Sequence, residues 1–517
     1  MSALRRWVGF GLALAIVLSL APRSTAKGSR QIVVASKSFG ESRLLAETYA
    51  QAIERATDLR VLRRLGLAGS DVCLAAMRSG DVDLYPEYTG TGLVSLLHRE
   101  PSADAAGVLR TVRSEFRRRF GLVWLAPHGF DNTWAIAVPG AVARRHGLAA
   151  ISDLHRAAPE LRAAFTQEFL ARDDGLPGLA RAYGGLAFAS VRGMGQALRY
   201  EAAETGAADV IDVYATDGRI AGSDLVVLRD DRRFFPPYQA APLVRAATLR
   251  SHPEIATALA PLAGVLDDDR MRALNRRIEV DHEPIEVVAA GLLRELGLGG
   301  AAPHRTRTAA SFAGYLWERR AEIGARTGEH LGLAAIAVLV VAAFGLPLGI
   351  SLVRRPRAAR GIVAASGIVQ AIPSMALLAF LIPVVGVGFV PAAIALCLYG
   401  LLPVVQNALV GVRDAAPEAA RAAHALGMTE RQVLWRVQLP LAAPTVVAGL
   451  RTSAVVTVGT ATLASLVGAG GLGDPILSGL ALNDSRLVLS GAIPAALLAL
   501  VVDAIFAALE RVVRPRG

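Results

Sequence analysis

The stretch Gly328 to Arg355, GEHLGLAAIAVLVVAAFGLPLGISLVRR, decides the architecture, because at Leu331 a charged, water-compatible chain becomes one that only a bilayer dissolves. From Leu331 to Val353, 23 residues carry no charge, and from Gly361 to Val412 a further 52 carry none. Roughly 20 apolar residues are enough to cross the hydrocarbon of a membrane. Between Gly28 and His330 no uncharged run exceeds 12 residues. One polypeptide therefore joins a soluble module to a membrane module.

Composition agrees with that division. A chain of 517 residues accommodates several domains, and 53% hydrophobic residues with a mean hydropathy of +0.42 is too apolar for a wholly soluble protein. The 55 Lys and Arg outnumber the 44 Asp and Glu. They do not indicate nucleic acid, since the arginines are scattered through the soluble half and clustered beside apolar spans, the pattern of cytoplasmic membrane loops. The two cysteines, Cys73 and Cys397, fall one in each half, which argues against an intramolecular disulfide and leaves no metal-ligand spacing.

At the N-terminus, Arg5 and Arg6 precede an uncharged stretch from Trp7 to Leu20 and the small residues Ser24-Thr25-Ala26. This reads as an export signal cleaved after Ala26, or as an uncleaved anchor. Either places residue 28 onward outside the cytoplasm. The membrane half tests that orientation independently: Arg354, Arg355, Arg357 and Arg360 follow the first span and belong in the cytoplasm. The 52-residue run then holds two spans, with Gly386-Val387-Gly388 and Pro391 as the outer turn. A charged loop from Arg413 to Arg436, a fourth span near Ala442 to Val467, a fifth near Leu487 to Leu509 and a cytoplasmic tail from Arg511 to Arg516 complete the pattern. Arg451 and Asp503 fall within these limits, where snorkelling toward the span ends accounts for each.

The soluble half reads as α/β: short apolar runs such as Ile32 to Ala35 and Leu186 to Val191 alternate with amphipathic stretches such as Glu41 to Arg55. Roughly 270 residues suffice for two lobes and a cleft. Its motifs carry a resemblance. Ser36-Lys37-Ser38-Phe39, Tyr85-Pro86-Glu87-Tyr88-Thr89-Gly90-Thr91-Gly92, Arg172-Asp173-Asp174-Gly175-Leu176-Pro177-Gly178-Leu179, Thr216-Asp217-Gly218-Arg219-Ile220 and Phe234-Phe235-Pro236-Pro237-Tyr238 resemble the quaternary-ammonium binding proteins of osmoprotectant ABC importers. Gly328-Glu329-His330-Leu331, Gly459-Thr460-Ala461-Thr462-Leu463 and Gly468-Ala469-Gly470-Gly471-Leu472-Gly473 resemble the permease of the same importers. The resemblance implies an α/β two-lobed periplasmic-binding-protein domain followed by an all-α polytopic membrane domain of ABC importer permease type. It divides the chain into a signal peptide or anchor (1–26), a substrate-binding domain (28–298), a linker with an amphipathic segment (299–327) and a transmembrane permease domain (328–517).

A trimethylated ammonium has charge but no N–H, so aromatic faces must recognise it, each through cation–π attraction of about 0.5 to 2 kcal/mol. Matching the family's four-aromatic cage by motif gives Tyr88, Trp134, Tyr214 and Tyr238, with Trp134 where the family more often has Tyr. Trp keeps or strengthens the π face. A betaine carboxylate needs charge-assisted donors, and the motif positions for these are Lys37, Thr91 and Arg172, with Asn132 beside the cage. Lys37 stands out within the chain itself, as one of only two lysines, with Lys27, against 53 arginines. Arg172 has a competing partner in Asp173 or Asp174. In the family, the residue at Thr91 helps set substrate breadth, and a Thr there is compatible with carboxylated betaines as well as choline.

The charged loop resembles the ATPase-coupling loop of such permeases, in which a Glu-Ala-Ala pattern precedes a Gly and a Leu-Pro exit. Gly427, Leu439 and Pro440 keep the spacing, whereas Arg421-Ala422-Ala423 occupies the place of Glu-Ala-Ala and a literal Glu418-Ala419-Ala420 lies three residues earlier. Gly427 is expected to serve close backbone approach. Neither lysine stands in a Gly-x-x-x-x-Gly-Lys-Ser/Thr loop, which implies a separate ATPase subunit that uses ATP, with no cofactor in this chain. Five spans are few for a pathway, so two copies related by a two-fold axis are expected in the inner membrane. The competing readings are an importer of another small solute such as an amino acid, a membrane-anchored ligand sensor, and an anchored enzyme. The last lacks any HExxH, GxSxG or clustered His.

Overall fold

The computed structural model of the chain describes residues 30–299, 311–415, 417–482 and 484–514. The N-terminal export segment and residues 300–310 of the linker lie outside them. The chain forms two compact units, in the main a soluble one before the linker and a helical one after it.

Two five-stranded sheets build the soluble unit. The first has the order β2-β1-β3-β10-β4, from β1 (Gln31–Lys37), β2 (Arg60–Leu67), β3 (Leu84–Tyr88), β4 (Leu122–Trp124) and β10 (Ala240–Arg245). The second has the order β7-β6-β8-β5-β9, from β5 (Trp134–Pro139), β6 (Arg162–Phe165), β7 (Ser190–Gly193), β8 (Val210–Tyr214) and β9 (Leu225–Leu228). Both sheets have the same grammar: parallel pairs β1·β2 and β6·β7, then antiparallel pairs β3·β10 and β5·β8. The chain crosses between lobes after β4 and returns before β10, so the first lobe takes β10 from beyond the second lobe, whose sheet is the unbroken run β5 to β9.

The lobes have separate apolar cores. Helix Gly40–Ala56 buries Leu44, Leu45, Tyr49 and Ile53 on the first sheet, together with Val288, Leu292 and Leu293 of helix Ile285–Glu295. Phe165, Phe169, Ile151 and Leu154 fill the second lobe. The second lobe also buries a charge, because Arg199 is fully enclosed between Asp212 at 3.1 Å and Asp217 at 3.3 Å. The crossing is pinned by backbone bonding to Asp131: its carboxylate accepts from the Tyr238 N–H at 2.6 Å, and Asp131 bridges Gln239.

Among the described residues of the helical unit, four helices are long and apolar enough to span a membrane: Arg320–Leu352, Phe389–Asp414, the 38-residue run Glu430–Val467 and Ser485–Val513. The pair Pro356–Ala371 and Ser374–Val385 makes a fifth if counted as one span, but it is bent by 97° at Ile372-Pro373, where Pro cannot continue the hydrogen-bond ladder. The expected outer turn lies at Gly386 and Gly388, both with positive φ, while Pro391 sits inside the first turn of the next helix. The amphipathic segment before Leu331 is divided: Phe312–Glu318 is a short helix capped by Ser311, and the remainder, from Arg320, is the start of the first spanning helix. Separate snorkelling of Arg451 and Asp503 is not what the structure contains. They form a two-pronged ion pair at 2.6 and 2.7 Å, each charge answering the other without a trip to the span ends.

Small residues allow close helix approach, as membrane packing requires. A Cβ on Gly349 would stand 2.7 Å from the Ala408 Cβ and 2.8 Å from the Val405 carbonyl oxygen, whereas one on Gly332 meets nothing within 4 Å. Gly349→Leu is therefore expected to abolish the monodisperse peak of the full chain in detergent gel filtration, with Gly332→Leu retaining it. Arg199→Met leaves Asp212 and Asp217 buried without their cation and is expected to cost about 3 to 5 kcal/mol in chemical denaturation of residues 28–298.

Two groups at the crossing tie stability to pH with opposite signs. Burial raises Asp131 from 3.8 to about 6, against the Tyr238 N–H that lowers it, and burial lowers His128 from 6.5 to about 4. The contribution of protonated Asp131 is full below 3.8 and lost as pH rises through about 6, whereas that of neutral His128 is full above 6.5 and lost as pH falls toward about 4. Denaturation of the same segment from pH 4 to 7 checks this. Relative to the parent, Asp131→Asn makes stability climb more steeply with pH, and His128→Gln makes it climb less.

Candidate ligand-binding site

The four expected cage aromatics reach one place through strand register. Trp134 opens β5 and Tyr214 closes β8, and the antiparallel pairing sets them directly opposite each other; their ring centroids are 6.1 Å apart. In the first lobe Tyr88 closes β3 opposite Ala240, two residues beyond Tyr238. Tyr238 then reaches the second pair, 6.0 Å from Trp134. Phe39, at the end of the Ser36–Phe39 motif, links Tyr88 to the others, 5.9 Å from Tyr88 and stacked 6.3 Å from Tyr214. Phe39 had no role assigned from sequence, since a single Phe after a strand reads as core. Gly90 is also part of the arrangement: a Cβ there would come within 2.7 Å of the Tyr238 ring.

Each expected charged donor is already held by a carboxylate of the chain. Lys37 Nζ lies 2.6 Å from Glu87 Oε1 and 4.7 Å from the Tyr88 centroid. Glu87 also accepts from the Tyr85 hydroxyl and the Tyr88 N–H, both at 2.7 Å. Arg172 resolves its two candidate partners in favour of Asp174, donating to both oxygens at 2.8 and 2.6 Å, while its guanidinium lies 4.7 Å over Trp134. The Tyr238 hydroxyl donates to the same Asp174. Thr91 is buried in the single turn that follows Tyr88.

Glu41 is the group that sequence reasoning missed. It stands in the first turn of helix Gly40–Ala56, 2% exposed, and four side chains donate to it. These are Tyr88 at 2.7 Å and Asn132 at 2.8 Å on one oxygen, and Thr216 at 2.6 Å and Asn275 at 2.8 Å on the other. Burial pushes its carboxyl up from the ordinary value, while those four hydrogen bonds pull it down. Its donors come from the first lobe, the crossing, the segment after β8 and helix Asp268–Glu279, so one carboxylate joins parts of the chain that are 234 residues apart. The only sequence signal was an acidic residue at a helix start, which ordinarily means an exposed N-terminal charge.

In the helical unit, a cavity of about 380 Å³ is lined by Gln370, Gln406, Asn407 and Thr452 along with Leu402, Pro403 and Val410. Uncharged amides and a hydroxyl at spanning positions are expensive against lipid and suit a polar path. The loop carrying Arg421 consists of helix Pro417–Ala425, a turn and helix Glu430–Val433, the latter capped by Thr429 and Gln432. Gly427 is not used for close approach, because nothing lies within 4 Å of where its Cβ would be; its φ of +81° is the reason for glycine. Arg421 is 77% exposed and lies 3.8 Å from Glu418, so the misplaced Glu and the Arg in its stead form one exposed pair. Ala422 and Ala423 continue that helix, and Leu439 and Pro440 open helix Leu439–Thr460.

Residues 30–295 match the family model of the substrate binding domain of ABC-type glycine betaine transport systems, and residues 330–515 that of the binding-protein-dependent transport system inner membrane component. Over 203 residues the chain is 40% identical to a glycine betaine/carnitine/choline transport system permease protein of Bacillus subtilis, covering 39% of this chain and 94% of that protein. Over 274 residues it is 38% identical to a glycine-betaine-binding protein of Pseudomonas aeruginosa, covering 51% of this chain and 86% of that protein. An ergothioneine transport permease/ergothioneine binding protein of Helicobacter pylori is 32% identical over 288 residues, 56% of this chain and 51% of its own length. With its receptor half and its membrane half each matched by a transport component, the chain belongs to the family of ABC-type glycine betaine transport systems and unites binding domain and permease in one polypeptide.

Proposed function

We propose that this protein captures a quaternary ammonium osmoprotectant outside the cell and forms its path across the inner membrane, driven by a separate ATPase. The observation that carries this reading is the gathering of Trp134, Tyr214 and Tyr238, with neighbouring rings about 6 Å apart, linked to Tyr88 through Phe39. Several π faces around one point are what a cation without N–H groups needs. Lys37, Thr91, Arg172 and Asn132 serve the polar end of the ligand.

The remaining parts follow from the membrane unit. The positive clusters put the binding domain outside and the C-terminus in the cytoplasm. Two copies face each other so that their Gln370, Gln406, Asn407 and Thr452 walls enclose a shared path. Partner ATPases dock on the Arg421–Gly427 loop, whose exposed Leu426 and Trp435 offer apolar area, and they use the ATP. No chemistry is done on the substrate. Tethering receptor to channel replaces diffusional encounter by an effective concentration on the order of mM.

Calorimetric titration of residues 28–298 with glycine betaine, choline, carnitine and proline tests the site. A quaternary amine is expected to bind and proline to bind weakly or not at all. Tyr214→Ala is expected to weaken the quaternary amine about 2- to 30-fold, the loss of one cation–π contact. Unchanged affinity in that variant would reject the cage. Uptake by proteoliposomes containing this chain and its ATPase separates import from sensing: ligand-stimulated ATP hydrolysis without accumulation inside would reject import.

A further inference from the structure

Glu430 is a junction within the helical unit. It is the first residue of helix Glu430–Val433, whose start is fixed by a reciprocal cap in which Gln432 Oε1 accepts from the Thr429 N–H at 2.8 Å. One carboxylate oxygen of Glu430 accepts from Arg354 Nη2 at 2.5 Å, and the other lies 3.5 Å from His424 Nε2. The same Arg354 nitrogen donates to the Glu430 carbonyl at 3.4 Å, so side chain and backbone are gripped together. His424 belongs to helix Pro417–Ala425, across the Gly427 turn, and Glu430 therefore holds both short helices of the loop. Arg354 sits in the tight turn that joins the first spanning helix, ending at Leu352, to helix Pro356–Ala371. Beside this contact Ile350 and Val353 pack with Leu434 and Leu439 around Val412, Ala415 and Ala442. Apolar packing sets how close the loop lies to that turn but has no direction of its own. The ion pair supplies the direction. With its side chains 59% and 66% exposed it adds little to stability, so its consequence is orientation.

The second observation is what lies beyond Arg354. Pro356 opens a helix of 16 residues, a rod of about 24 Å. Gln370, next to its last residue, lines the 380 Å³ cavity together with Gln406, Asn407 and Thr452. At the bend that follows, the Ile372 carbonyl accepts from the Tyr399 hydroxyl of helix Phe389–Asp414, the helix that also carries Gln406 and Asn407. Helix Pro356–Ala371 is thus anchored by Tyr399 beside the cavity and reached by Glu430, through Arg354, at its other end. A displacement of the loop swings the rod about that anchor and turns Gln370 against Gln406 and Asn407. A rigid element with contacts at both ends is the kind of connection that carries coupling between separated sites.

We propose that Glu430 is a positioning residue for transport, which passes displacement of the loop through Arg354 to helix Pro356–Ala371 and so to the Gln370 wall of the path. This rests on the importer reading above, in which a separate ATPase moves the loop, and deepens it. Charge exchange in the full chain tests it, in proteoliposomes that also contain the ATPase, with uptake of labelled glycine betaine and choline and ATP hydrolysis measured together. Arg354→Glu and Glu430→Arg each set like charges against one another. Each is expected to lower the solute accumulated per ATP hydrolysed by about fivefold or more, with hydrolysis retained. The double exchange, which restores the pair in reverse, is expected to return that ratio to within about twofold of the parent. A role in folding or in ATPase docking alone lowers uptake and hydrolysis in step and leaves the ratio unchanged, and that result would overturn the inference. A double exchange no better than the poorer single variant would also overturn it, while accumulation by the parent keeps the importer reading intact. A parent protein that accumulates neither solute would overturn the importer reading and this inference together.

Discussion

The antiparallel register at the middle of each sheet is the constraint on which the site depends. Pairing Trp134 with Tyr214 and Tyr88 with Ala240, two residues after Tyr238, puts three aromatic rings at strand ends beside the crossing, and a slip of one residue would turn each ring to the opposite face. The strands that fix these pairs, β5 and β10, are the ones that follow each crossing. The candidate site and the crossing therefore share one tie, the hydrogen bond from the Tyr238 N–H to the Asp131 carboxylate.

Buried charge is the second organising feature. Lys37, Arg172 and Arg199 are each paired, and each also lies near an aromatic ring of the candidate site: Lys37 over Tyr88, Arg172 over Trp134, and Arg199 at 5.6 Å from Tyr214. Removing such charges from water is costly, and their carboxylate partners offset that cost. Arginine and lysine here stiffen the walls of the site as much as they decorate it. Glu41 stands apart because neutral donors hold it. It is at once a link between distant segments and the point where the electrostatics of the site remain open.

The helical unit obeys the solvent it lives in. Ionisable residues within spans pair with each other, as Arg451 and Asp503 do, and glycines such as Gly349 bring helix backbones together without a side chain between them. Uncharged polar residues gather around one cavity. The loop that carries Arg421 has a positive-φ glycine and a capped short helix to fix its shape, with Ala423 and Val433 buried beneath it.

Sequence by itself determined the division at Leu331, the polytopic character of the membrane half and the α/β character of the soluble half, because solvent preference and periodicity act over tens of consecutive residues and leave local traces; the 97° bend at Ile372-Pro373, which leaves four straight spans and one broken one, was not legible in it. Motif position placed Tyr88, Trp134, Tyr214 and Tyr238 in one candidate set, and the fold brings them together. Tertiary structure alone decided the rest. Whether Arg172 meets Asp173 or Asp174, that Arg451 meets Asp503, that Phe39 links Tyr88 to the other rings and that Gly427 is needed for its backbone angle all depend on through-space distance or dihedral angle. Glu41 is the clearest case. In the chain it is an acidic residue at a helix start, and only folding removes its water and supplies four donors from as far as Asn275, since burial and partnership are properties of three dimensions that no local pattern encodes.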